Sequence, residues 1–173
     1  QDGAIALTVD HSGPWGNGSD LWISRDEGLT WTNPCGHIAG IHAGATQLED
    51  GRLLGFGREG EIKTDKGKQE MLSLPMSISG DGGKSYTWHE TEFPPIDGAQ
   101  RLVLLRLKQG PLFLASFADT GIKITDSTGK QREVYGLFGA ISPDEGKSWP
   151  YRRLISDAGP GQAVECTGGG LFI

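Results

Sequence analysis

The sequence predicts an all-β protein assembled from short antiparallel strands, and three observations carry that reading. No stretch holds apolar residues at i, i+3, i+4 and i+7 over three turns, so no amphipathic helix is expected. Short β-rich runs are broken throughout by Gly, Pro, Asp and Asn, in a chain with 28 glycines among 173 residues. One octapeptide also recurs three times, 55 and 63 residues apart: Ser24-Arg25-Asp26-Glu27-Gly28-Leu29-Thr30-Trp31, Ser79-Gly80-Asp81-Gly82-Gly83-Lys84-Ser85-Tyr86 and Ser142-Pro143-Asp144-Glu145-Gly146-Lys147-Ser148-Trp149.

The elements follow in chain order. Residues 4–9 form a first apolar run, and 21–24 a second that leads into the first octapeptide. Residues 43–48 and 52–56 flank Glu49-Asp50-Gly51, which is a hairpin signal. Residues 76–79 lead into the second octapeptide. Residues 102–107 and 112–117 flank Lys108-Gln109-Gly110-Pro111, a second hairpin signal. Residues 136–142 lead into the third octapeptide and 151–155 follow it. Segments 59–70 and 120–134 read as long, polar, Lys-rich loops of the kind that rim a cleft.

The octapeptide's chemistry is that of a turn. Asp accepts backbone N–H groups across a tight bend, Gly supplies a positive φ, and Ser or Thr adds a hydroxyl bond. The aromatic packs over the turn. Asp26, Asp81 and Asp144 are therefore expected to staple turns and to take no part in catalysis.

Composition bounds the function. A length of 173 residues predicts one domain. With 36% hydrophobic residues and five tryptophans, the chain is too apolar to be a disordered acidic one. The net charge of −6 argues against a nucleic-acid partner, which calls for a basic face. No apolar run approaches the roughly 18 residues of a membrane helix, so no membrane span is expected. Opening at Gln1 and stopping within Gly168-Gly169-Gly170-Leu171-Phe172-Ile173, the chain reads as a piece of a longer protein. Cys35 and Cys166 read as ordinary thiols, and Asn17-Gly18-Ser19 fits an N-glycosylation pattern.

The threefold octapeptide resembles the Asp-box, or BNR repeat, of the sialidase-like β-propellers. That resemblance implies four-stranded antiparallel blades around an axis, six or seven in a complete ring, with each box joining the third and fourth strands of its blade. The chain then parses into blade portions 4–36, 37–98, 99–158 and 159–173. The innermost strand is strand one, and the cleft lies on the face away from the boxes. This placement selects His37 and His42 where strand one of the first whole blade begins, and Arg58 at the end of its strand two. It also selects Arg101 at the next strand one, Asp119 at the end of the following strand two, Tyr135 before strand three and Glu165 before the last partial strand. Arg106, alternating with apolar residues, is expected to pack or pair.

Arg and His at such a rim suit an acidic sugar, because guanidinium binds a carboxylate in a bidentate fork and imidazole moves protons. The resemblance implies exo-α-sialidase-type hydrolysis as the first reading. Arg58, Arg101 and His37 would then bind substrate, Tyr135 and Glu165 would form the nucleophile pair, and Asp119 would be the acid. The family's Arg-Ile-Pro motif does not occur in the sequence. The stretches Gly40-Ile41-His42-Ala43, 50–58 and 100–107 are similar to a subgroup related to propeller lyases that cut L-rhamnose-α-1,4-D-glucuronate linkages. On that reading His42 or Tyr135 removes the C5 proton while Arg58 and Arg101 neutralise the uronate. A glycan- or protein-binding propeller without chemistry is the third reading. Such relatives can hold Ca²⁺ near the axis, but no dense carboxylate cluster marks a site for it here. The resemblance also points to a secreted or periplasmic location.

Overall fold

The structure, a computed structural model, describes residues 3–13, 16–58, 61–64, 67–70, 72–96, 100–126, 128–156, 164–165 and 171–172. Among these residues there is no helix, and every paired strand is antiparallel. The first sheet has the order β1 (Ile5–Gly13), β2 (Gly16–Ser24), β3 (His37–Ala39). Next come β4 (Ile41–Gln47) and β5 (Leu53–Arg58), followed by a separate hairpin of β6 (Glu61–Thr64) and β7 (Gly67–Glu70). The chain then returns through β8 (Met76–Ser79) and β9 (Thr87–His89), which gives a four-stranded sheet β4-β5-β8-β9. The third sheet is a four-stranded meander: β10 (Val103–Arg106), β11 (Leu112–Thr125), β12 (Gln131–Ser142) and β13 (Tyr151–Ser156). A short pair, β14 (Val164–Glu165) with β15 (Leu171–Phe172), lies beyond.

The three octapeptides fold alike. In each, the leading Ser hydroxyl donates to the Asp carboxylate at 2.8 Å and accepts the Gly N–H at 2.8 Å. The Thr or Ser four residues after the Asp donates its N–H to Oδ1 and its hydroxyl to Oδ2. Two successive residues take positive φ: Glu27 (60°) and Gly28 (90°), Gly82 (75°) and Gly83 (91°), Glu145 (63°) and Gly146 (83°). Only the second of the two is Gly in all three copies. The second and third turns join β8 to β9 and β12 to β13. The first leads from β2 to Thr32, which bridges back to Ile23. The aromatic position is used differently in each copy. Trp31 folds back, its indole N–H donating to Gly28 O at 3.0 Å, whereas Trp149 is buried against Phe56 and Phe93.

The core lies between the second and third sheets. Leu54 and Phe56 of β5 meet Leu112, Leu114, Phe138 and Trp149, with Phe93 stacked on Phe138. The first sheet packs its inner face, including Leu21 and Ile38, toward β4 and β5, and β4 in turn lies against β10. The opposite face of the first sheet leaves Ile5, Leu7 and Val9 exposed, and the far face of the third leaves Val103, Leu105, Tyr151 and Ile155 exposed. Arg106 is paired, as its apolar neighbours led us to expect. Its two terminal nitrogens meet the two oxygens of Glu145 at 2.8 and 2.6 Å, and they also donate to Gly110 O and Gln47 O. Because Glu145 Oε2 accepts the Glu49 N–H at 2.7 Å, this pair fastens the β4–β5 turn to the third Asp turn.

Two sequence expectations need correction. The segment 120–134 is no loop: β11 and β12 extend through it as one hairpin, closed by Asp126 accepting the N–H groups of Thr128 and Lys130. Its polar content hid a period-two pattern in which Ile122, Ile124 and Val134 are buried. Segment 59–70 likewise contains the β6–β7 hairpin.

Replacing Arg106 with Ala strands Glu145 and is expected to cost about 1.5–3 kcal/mol, read as a lowered urea midpoint. The turn carboxylates give an acid dependence. The Thr30 hydroxyl, then its N–H, then the Ser24 hydroxyl hold Asp26 down from 3.8 to about 2. Stability from this turn is therefore full above the ordinary value and lost as pH falls through 3.8 toward 2. Melting temperatures measured across that window should fall less steeply for Asp26→Asn than for the parent chain.

Candidate functional site

Strand direction puts the Asp turns at one rim of the sheets. The end of β1, the start of β4, the end of β5 and the far ends of β11 and β12 lie at the other. His42 stands at this second rim, in a β-bulge. Ile41 pairs with Arg58 and Gly44 with Phe56, so His42 and Ala43 together oppose Gly57. A Cβ on Gly57 would lie 2.2 Å from Ala39 O, so only Gly admits the crossover from β3 to β4 there. His42 itself has φ 55°, an uncommon conformation for a residue with a side chain.

Asp10 of β1 holds that conformation in place. Its Oδ1 accepts the His42 N–H at 2.5 Å, and its Oδ2 lies against His42 Nδ1. The imidazole contact is close, although Nδ1 makes no aligned hydrogen bond. Buried Ser19 completes the cluster. Its hydroxyl lies 3.1 Å from both Asp10 Oδ1 and Gly40 O and accepts the Ala43 N–H at 3.2 Å. Burial pushes the Asp10 carboxyl up. The His42 N–H, the Ser19 hydroxyl and the His42 imidazole together outweigh burial and hold it below the ordinary carboxylate range. The result is an imidazole oriented at Nδ1 by a carboxylate, with Nε2 as the remaining ring nitrogen.

The other sequence-selected residues are placed as follows. Arg58 ends β5 across from Ile41 and is 7% exposed. Asp119 sits in a second irregularity, where the β11–β12 register shifts between Ala118 and Ile122, and Gln100 Nε2 lies 3.5 Å from its Oδ1. Arg101 is exposed just ahead of β10. Tyr135, expected before the third strand, is inside β12 and 55% exposed, its hydroxyl 3.5 Å from Glu133 Oε2. Glu165, expected before a strand, is within β14, paired by its backbone with Leu171; its side chain lies outside the described residues, as does Cys166. His37 is a correction. It belongs to β3 at the outer edge of the first sheet, not to the start of an inner strand, because its backbone pairs with Asp20 of β2.

Sequence reasoning missed Asp10, His11, Ser19 and Asp20. Asp10 and His11 are adjacent on a strand and so face opposite sides. Asp10 meets His42, whereas His11 Nδ1 stands 2.9 Å from Asp20 Oδ1 on the far face, where His37 Nδ1 also meets that oxygen at 2.6 Å. The available signal was the polar pair Asp10-His11 closing an otherwise apolar strand. His37 therefore does not join His42 in one hollow. Among the described residues, His11, Asp20 and His37 are the His, Cys, Asp or Glu group close enough to share an ion. Two imidazoles and one carboxylate do not suit Ca²⁺, which takes six to eight oxygens. A cleft of about 390 Å³ between the first two sheets, lined by Ala6, Leu21, Ile23, Thr46 and Leu53, contains none of the candidate residues.

No family model and no curated protein matches the chain. Among solved structures it is similar to the crystal structure of a protein of unknown function from Dyadobacter fermentans DSM 18053. The two are 18% identical with a TM-score of 0.60, over 91% of this chain and 40% of that one. At this identity the likeness is one of fold, and the chain spans well under half the length of that protein.

Ser19→Ala removes the acceptor for Ala43 N–H and the donor to Asp10. A cost of about 1–3 kcal/mol is expected, seen as a lower melting temperature.

Proposed function

We propose that this chain is part of a sialidase-like β-propeller that acts on an acidic glycan, with His42 as the proton-transferring group. Support for the propeller comes from two four-stranded meanders and a third sheet packed side by side, with matching Asp turns on one rim. The observation that carries the chemistry is the His42–Asp10 pair. A positive-φ histidine in a bulge, held at Nδ1 by a carboxylate, is a base–orienter arrangement that leaves Nε2 to take a proton.

Of the two glycan reactions, β-elimination on a uronate fits this pair better. A guanidinium at the substrate carboxylate acidifies the C5 proton, and Arg58, in register beside His42, is the residue proposed for that role. His42 Nε2 takes the C5 proton, the C4–O bond breaks with its electron pair leaving on oxygen, and that oxygen takes a proton from water. A C4–C5 double bond remains. Hydrolysis of a sialate glycoside is the second reading. It rests on a tyrosine beside a carboxylate, and the pair present is Tyr135 with Glu133.

The test uses the full-length protein on a rhamnosyl-glucuronate substrate, following absorbance of the unsaturated uronate. His42→Ala is expected to lower the rate by about 10²–10⁴-fold. Free sialic acid released from sialosides, with no unsaturated product, would favour the second reading. Glycan binding without turnover would make the protein a lectin-like module and remove both.

A further inference from the structure

We infer that His11, Asp20 and His37 form a binding site for a divalent first-row transition ion such as Zn²⁺, clamping the first sheet on the face opposite His42. One donor comes from each of three strands: His11 from β1, Asp20 from β2 and His37 from β3. The three donor atoms lie within 4.8 Å of one another. Nitrogen and oxygen donors bound to zinc at about 2.0–2.1 Å in a tetrahedron stand roughly 3.3 Å apart. His11 Nδ1 and His37 Nδ1 stand 2.9 and 2.6 Å from the same Asp20 oxygen, so these gaps open by about 0.4 and 0.7 Å for an ion to enter.

The surroundings favour a metal over a plain hydrogen-bonded cluster. His37 donates to Asp20 Oδ1, whereas His11 Nδ1 is buried beside the same oxygen without a hydrogen bond. The two rings are tilted by 47° with centroids 4.5 Å apart, close enough for two imidazoles sharing one ion. The second Asp20 oxygen accepts from Asn33 Nδ2 at 3.0 Å, which fixes the carboxylate as outer-shell partners of metal ligands do. Gly18 makes room for the His11 ring: a Cβ there would sit 3.0 Å from His11 Cε1 and 2.9 Å from Ile38 O. The side chains are 18–39% exposed, so an ion can reach them from solvent, and three protein ligands leave a tetrahedral position for water. The two nitrogen donors select a transition ion over Ca²⁺ or Mg²⁺. Because the donors come together only when β1, β2 and β3 are paired, the ion binds the folded state and stabilises it.

Chelator-treated protein titrated with ZnCl₂ by calorimetry is expected to bind one equivalent and to melt at a higher temperature with Zn²⁺ but not with Ca²⁺. Co²⁺ in place of Zn²⁺ should give visible ligand-field bands. His37→Ala and Asp20→Ala should each weaken Zn²⁺ at least tenfold, while His89→Ala, at an exposed histidine of β9, should bind like the parent. Absence of a zinc-dependent rise in melting temperature in the parent chain overturns the site, even where a variant fails to fold. So does parental affinity in folded His11→Ala and His37→Ala. The outcome is independent of the glycan reading, whose His42 and Arg58 lie on β4 and β5 of the second sheet, with Asp10 on the opposite face of β1 from His11.

Discussion

Everything in this molecule rests on a carboxylate that satisfies its own turn. In each octapeptide the Asp takes up two hydroxyls and the N–H of the residue four positions on, while the leading Ser ties the Gly N–H to the same knot. Two consecutive positive-φ residues are tolerated because those bonds hold them. With the turn settled by atoms within eight residues, the strands on either side are delivered antiparallel and in register, and the flat apolar faces of neighbouring sheets can meet. The Arg106–Glu145 pair extends this economy between sheets, since one side chain of the third turn anchors the hairpin of the sheet before it.

Local chemistry explains what could be read in advance. The absence of helix among the described residues, the strands at the runs before each octapeptide, and the turn-stapling bonds of Asp26, Asp81 and Asp144 all follow from patterns a few residues long. His42 near the start of β4 is legible for the same reason. What could not be read depends on pairing across distance. His37 looks in sequence like the start of the next strand, yet it is claimed by β2 through Asp20, 17 positions away and beyond any local cue. Tyr135 and Asp119 were placed beside a loop because the charges of 120–134 masked Ile122, Ile124 and Val134. The orienting Asp10 has no partner until β1 lies against β4, so no spacing in the sequence could join it to His42.

The two histidine clusters divide one short stretch of backbone between them. Asp10 and Ser19 face the second sheet, His11 and Asp20 face away, and the alternation of the strand keeps the two clusters apart. A change that slipped the β1–β2 register by one residue would exchange the faces and abolish both at once. Thr8 ties β1 to β4, its hydroxyl donating to Ala43 O at 2.6 Å, one residue after His42. Strand pairing, inter-sheet packing and the imidazole geometry are thus a single constraint seen at three scales.

Because each Asp turn closes on itself, its rim is indifferent to what the chain does at the opposite end. The extra hairpin β6–β7 and the long arms of β11 and β12 leave from that other end without disturbing a single turn contact. A scaffold of this kind separates upkeep from invention: lengthening an arm reshapes the exposed margin, and the folding of the body is left unaware of the edit.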